Sequence, residues 1–179
     1  MRTLVLGGIR SGKSRWAEQA VAGFVPPSAP VRYLATGPAT DSDPAWATRV
    51  AAHRTRRPAN WQTVESADVA MQLRAEPEIA TLVDDVGGWL TAAMDRTDAW
   101  AAGSVADAVT DLTEAVAAYP SPLVLVSPEV GLTVVPATEA GRRFADALGE
   151  LNQHLAAACD RVVLVVAGVA VPIKPERGL

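Results

Sequence analysis

Three groups of side chains carry chemistry in this sequence. The first is Gly7-Gly8-Ile9-Arg10-Ser11-Gly12-Lys13-Ser14, which fits the phosphate-binding spacing G-x-x-x-x-G-K-[ST]. In that pattern the glycines let the backbone curl until successive N–H groups converge on one anion. Lys13 reaches the outer phosphates of a nucleoside triphosphate, and the Ser14 hydroxyl holds Mg²⁺. The chain has 14 arginines and two lysines, Lys13 and Lys174. A chain that otherwise uses Arg keeps Lys here because a compact ammonium fits between a tight loop and a phosphate where a planar guanidinium does not.

The second group is His53 among Arg49, Arg54, Arg56 and Arg57. The positive field disfavours imidazolium and leaves a neutral, nucleophilic ring. The arginines suit the phosphates of whatever that ring would attack. On the residues alone, a solvated basic helix end with one bystander histidine is the leading reading, because charge runs are usually solvated faces. The other histidine, His154, stands within a long helical pattern with no chemistry around it. The third group is Asp84-Asp85, after the apolar run 79–83. A strand-end carboxylate beside a phosphate loop orders Mg²⁺ or its water. The alternative is a cap for the helix that begins at Val86, and Asp85 is open to either role.

The elements around these groups alternate. An apolar strand at 3–6 leads into the glycine loop and a helix over 13–22, the context the motif requires, with the helix N-terminus adding its own attraction for anions. Strands follow at 31–35 and 61–65. Thr36-Gly37-Pro38 ends the first of them at a strand edge where open α/β sheets bind ligands. Asp43 caps a helix over 44–56, with Pro44 in its first position and Pro58 beyond its end. Ser66 caps a helix to about 75, and helices are expected over 86–94, 104–118 and 138–158. Further strands are expected at 122–127, at 162–166 and, as a short edge, within 168–174. The run Val162-Val163-Leu164-Val165-Val166 is the most hydrophobic and is expected at the centre of the sheet. Strands alternating with helices imply an α/β fold: a mainly parallel sheet with helices on both faces. With the loop after strand one, this is a P-loop nucleotide-binding fold, a single domain over residues 1–179.

Composition narrows the function. Of 179 residues, 49% are apolar, but no run approaches the roughly 20 residues needed to span a bilayer, so no membrane span is expected. No export signal is legible and the chain reads as cytoplasmic. A net charge of −4 argues against nucleic acid as a partner. The single cysteine, Cys159, excludes an intrachain disulfide and reads as core filler.

From strand one to Lys174 the chain resembles the bifunctional adenosylcobinamide kinase/adenosylcobinamide-phosphate guanylyltransferase family of cobalamin assembly. The resemblance rests on residues 7–15, Tyr33-Leu34-Ala35-Thr36, Arg49-Val50-Ala51-Ala52-His53-Arg54, Arg57-Pro58, Trp61 and Glu65. It extends to Trp89-Leu90-Thr91, Glu129-Val130-Gly131, Val135-Pro136, Asn152-Gln153 and Val165-Val166-Ala167-Gly168. It implies two activities: phosphorylation of adenosylcobinamide at the P-loop, and transfer of GMP from GTP to adenosylcobinamide phosphate. By the same resemblance His53 takes the GMP as a phosphoramidate, and GTP or ATP with Mg²⁺ serves the kinase step. Carried over by position, nucleotide contacts fall on Gly7, Gly8, Ile9, Arg10, Ser11, Gly12, Lys13 and Ser14, on Ala35, Thr36 and Gly37, on Arg54, Thr55, Arg56 and Arg57, and on Glu65 and Asp84. Ser14 and Asp84 are the metal positions, and Lys13 and His53 the catalytic ones. The family's assemblies imply a homo-oligomer, often a trimer. The chain departs from the family pattern at Asp85, Val86, Gly87 and Gly88, where Cys and then Leu-Thr are usual after the aspartate. It departs again at Ala92 and Pro128, both usually Asn. Without the resemblance, a P-loop kinase for another small metabolite and a nucleotide-binding switch module without transfer chemistry remain open.

Overall fold

The computed structural model describes residues 1–37 and 57–174. Seven strands form one sheet: β1 (Arg2–Gly7), β2 (Val31–Ala35), β3 (Trp61–Glu65), β4 (Ala80–Asp84), β5 (Leu123–Pro128), β6 (Arg161–Val166) and β7 (Val169–Lys174). Their spatial order is β3-β2-β4-β5-β1-β6-β7. Every pairing is parallel except β6 with β7, which is antiparallel. The described helices are α1 (Lys13–Gly23), α2 (Val69–Ala75), α3 (Val86–Thr97), α4 (Ala106–Ala118) and α5 (Glu139–Ala158). None of them is long and apolar enough to cross a membrane.

The inner strands are continuous apolar runs because both faces are covered. Successive side chains point to opposite faces. Val5, Tyr33, Leu82, Val124 and Val163 therefore pack on α1 through Ala17 and Val21. Leu4, Leu6, Leu34, Val83 and Leu125 pack on the opposite face against α2, α3, α4 and α5. Cys159 closes that second core as expected, and burial pushes its thiol up to about 12, leaving it inert.

Several expectations are corrected. The hydrophobic strand at 162–166 is not central: β6 lies next to the edge, covered there by β7, and β5 takes the middle of the order. Hydrophobicity reports burial, and β7 together with the helical layers buries β6 without central placement. Ser66 does not cap α2; Asp68 does, accepting from Met71 N at 3.1 Å, while Ser66 Oγ accepts from Asp68 N. The helix after Asp85 runs on to Thr97, past the stretch expected to be turn. Ser104 precedes α4, which starts at Ala106. Thr138 caps α5 through its hydroxyl. The helix expected over 44–56 with its cap at Asp43, and the tail from 175, lie outside the described residues.

Candidate functional site

Gly7 ends β1, and the chain then bends through the phosphate loop into α1. Gly12 sits at φ 95°, a region that an L side chain rarely enters. A β-carbon there would also stand 3.2 Å from Gly168 Cα. Gly168 N donates to Ser11 O at 2.8 Å, so the tight turn between β6 and β7 holds the loop from the side. Gly12 is the residue before α1, no side chain caps the helix, and its first turn has no acid. The first-turn N–H groups and the positive end of the helix are therefore directed at whatever the loop encloses. Lys13 crosses the loop, donating from Nζ to Gly8 O at 3.3 Å. On the other flank Glu129 N donates to Gly7 O at 3.1 Å.

Two adjacent carboxylates at the end of β4 take different tasks. Asp84 points to the α1 side, where Ser14 Oγ donates to its Oδ1 at 3.4 Å and the Tyr33 hydroxyl donates to its Oδ2 at 2.5 Å. Asp85 turns the other way and caps α3, accepting from Gly88 N at 2.6 Å. Burial, partly offset by the Gly88 N–H, pushes the Asp85 carboxyl above the usual carboxylate range. Of the two adjacent acids, the cap is thus Asp85, and the carboxylate facing the loop is Asp84. The peptide between them is cis.

Thr36, expected at the nucleotide, is 4% exposed and braces this strand end. Its N donates to Asp84 O at 3.2 Å, its Oγ1 accepts from Asp85 N at 3.1 Å, and its hydroxyl donates to Asp85 O. Ala35 and Gly37 flank it at the same sheet edge, and Glu65 ends β3 alongside Ala35. Arg57, the first described residue after the histidine segment, lies with Cζ 3.2 Å from the centroid of the Tyr33 ring and donates from Nη1 to Thr63 Oγ1 at 2.9 Å. Arg49, His53, Arg54, Thr55 and Arg56 lie outside the described residues. His154 is exposed on α5.

The donors present fit Mg²⁺. A hydroxyl and a carboxylate oxygen, both hard, converge beside the loop. Among the described residues no group of three or more His, Cys, Asp or Glu side chains could cage a metal. This matches an ion held by one or two protein oxygens together with nucleotide phosphates and water.

Two residues of structural weight here were named in the sequence only as matches. Asn152, buried in α5, accepts from Ser127 Oγ at 2.6 Å and donates from Nδ2 to Pro128 O at 3.2 Å, holding the strand end from which Glu129 reaches Gly7. A buried amide in an apolar helical stripe was its signal. Tyr33, the one aromatic in β2, was the other.

A mainly parallel sheet with a phosphate loop between its first strand and first helix, and a strand-end carboxylate opposite the loop serine, defines a P-loop nucleotide-binding α/β protein. An ATPase from the type III secretion system of pathogenic bacteria shares that fold, with a TM-score of 0.57 and 13% identity over 96% of this chain and 56% of that one. The chain belongs to the cobinamide kinase/cobinamide phosphate guanyltransferase family, whose model matches residues 3–173. It is 41% identical to the bifunctional adenosylcobalamin biosynthesis protein CobP of Pseudomonas aeruginosa, over 98% of this chain and 99% of that one. It is 37% identical to the bifunctional protein CobU of Salmonella typhimurium, over 97% of this chain and all of that one (100%).

Proposed function

We propose that this protein runs both reactions of its family, phosphorylation of adenosylcobinamide and transfer of GMP from GTP to the phosphorylated product, with the residues assigned above. The observation that carries the reading is the approach of Ser14 Oγ to Asp84 Oδ1, 3.4 Å apart beside the phosphate loop.

For the kinase step, the loop amides and the N-terminus of α1 hold the β- and γ-phosphates of ATP or GTP, and Lys13 follows the γ-phosphoryl as it moves to the acceptor hydroxyl. Ser14 and Asp84 would hold Mg²⁺, which when bound would neutralise phosphate charge. Ala35, Thr36, Gly37 and Glu65 line the same edge for the nucleotide. For the guanylyl step, the neutral ring of His53 attacks the α-phosphorus of GTP. A P–N bond forms, the bond to the bridging oxygen breaks, and pyrophosphate leaves. A phosphate oxygen of adenosylcobinamide phosphate then attacks the same phosphorus and releases the imidazole. Arg54, Thr55, Arg56 and Arg57 hold the triphosphate during the first half.

Assembly as a homo-oligomer, a trimer by resemblance, is favoured by exposed apolar side chains at Leu132, Val134 and Val135 and along β7 at Val169, Val171 and Ile173. A self-contact would cover them, and light scattering reads the state. Both nucleotides are supplied in the cytoplasm, which favours that location.

The test is covalent labelling. The protein is incubated with GTP carrying label at the α-phosphate and then denatured. Acid-labile, alkali-stable label is expected. A chain that stays unlabelled yet still transfers the γ-phosphoryl would be a kinase alone.

A further inference from the structure

Tyr33 lies between the two halves of this site. Its ring is 2% exposed and packs among Val5, Ala17, Val21 and Leu82 on the α1 face of the sheet. Its hydroxyl donates to Asp84 Oδ2, so the carboxylate is held from one side by Tyr33 and met from the other by Ser14. The opposite end of the interaction is the ring face, against which the Arg57 guanidinium is stacked. Among the described residues no carboxylate pairs with Arg57, and its Nε is buried without a hydrogen-bond partner. The aromatic face and the Thr63 hydroxyl are its described anchors.

We infer that Tyr33 is a two-sided positioning residue: its hydroxyl fixes the Asp84 carboxylate for the metal at the phosphate loop, and its ring seats Arg57 for the triphosphate that guanylylates the protein. The inference rests on the assignment of Asp84 to the metal made above.

The physical basis is orientation. A carboxylate with one oxygen pinned by a buried phenol cannot rotate freely, so its other oxygen is presented to Ser14 at a fixed angle. Charge-assisted O–H···O⁻ bonds are the strong, short kind, and this one is part-buried. On the other side, an arginine over an aromatic face gains attraction without being neutralised. Arg57 is thus seated by a contact that does not neutralise it.

The test separates the two sides of the ring. Mn²⁺, a paramagnetic stand-in for Mg²⁺, is titrated into the protein with a non-hydrolysable ATP analogue, and the free ion is read by electron paramagnetic resonance. Tyr33→Phe removes only the hydroxyl and is expected to weaken Mn²⁺ binding about tenfold, the scale of losing a hydrogen bond behind a metal ligand. Tyr33→Leu removes the seat of Arg57 as well. It is expected to raise the KM for GTP in covalent labelling several-fold above that of Tyr33→Phe. Asp84→Asn is run in parallel. If Asp84→Asn binds Mn²⁺ weakly while Tyr33→Phe binds it as the parent does and only melts earlier, Tyr33 is structural and the inference is overturned. If Asp84→Asn also binds Mn²⁺ normally, the metal assignment of Asp84 falls and the inference with it.

Discussion

Gly87 faces the ring of Pro128 so closely that a β-carbon at position 87 would stand 2.8 Å from Pro128 Cγ and 3.2 Å from its Cδ. Gly87 lies at the start of α3 and Pro128 at the end of β5. Their contact couples the two positions: the Pro128 ring fills the space that a side chain at position 87 would need. Gly87→Ala is expected to destabilise the protein by about 1–3 kcal/mol through overpacking. In a Pro128→Ala background the same substitution is expected to cost clearly less, because the ring clash is gone and the 3.2 Å approach to Asp85 Oδ1 remains. Thermal melts of the four proteins give the coupling. A value under about 0.5 kcal/mol would make the two sites independent.

The phosphate loop predicts a loss of function without a loss of fold. Lys13 makes its described hydrogen bond to a loop carbonyl and lies outside both cores. Lys13→Ala should melt near the parent temperature and lose more than about 100-fold in nucleotide turnover, the scale of removing one preorganised donor to transition-state charge. Near-normal turnover would remove the loop from the chemistry.

The neighbouring acids separate in opposite assays. Asp84→Asn should raise the Mg²⁺ concentration for half-maximal kinase activity with a small change in melting temperature. Asp85→Ala should cost about 1–2 kcal/mol of stability through loss of the α3 cap. It should leave the Mg²⁺ requirement near the parent value. Reversal of the two patterns would exchange the assignments.

His53→Ala should abolish covalent GMP and pyrophosphate release from GTP while sparing phosphoryl transfer at the phosphate loop, which needs Lys13 and a metal rather than an imidazole. Labelling of the parent protein should fade at low pH as the ring protonates. The midpoint is expected below the free value of about 6.5, because the flanking arginines oppose another positive charge. Covalent GMP on His53→Ala would place the nucleophile elsewhere.

Acid stability has a second, structural sensor. The Arg2 guanidinium, 2.7 Å from Asp160 Oδ1, holds the Asp160 carboxyl well below the usual carboxylate range, at about 2. A carboxyl depressed in the folded state contributes stability that is fully present above its unfolded value of about 3.9. That contribution is lost as pH falls through the folded value. The Asp160 side chain is 42% exposed, so screening limits the contribution to about 1 kcal/mol. Urea melts between pH 5 and pH 2 should therefore show a slope in the parent that Asp160→Asn reduces (pH values on the order set by those two pKa figures). An unchanged slope would move the effect to other carboxylates.

Much of this architecture is legible in sequence because the signals are local. The apolar runs mark the strands, Thr138 marks the start of α5, and the glycine spacing marks the loop. What was illegible depends on partners distant in the chain. Adjacent aspartates are indistinguishable until one is seen to face Ser14 and the other Gly88. The hydrophobicity of β6 reports its cover, not its place in the order. Arg57 reads as one member of a basic run, yet it stacks on the Tyr33 ring of β2 and bonds Thr63 of β3. Of the candidate site, the phosphate-loop half is visible in the described residues, and His53 lies outside them.

The turn at Gly168 has a consequence in time as well as space. The phosphate loop precedes β5, β6 and the Gly168 turn in the chain, yet its strand is flanked by β5 and β6, and Ser11 is held by Gly168. A growing chain therefore carries the motif long before it carries the site, and a product cut short of the β6–β7 turn would display the signature without its brace. Competence for nucleotide thus waits for the β6–β7 turn, after β1 to β6 and the five described helices have been made.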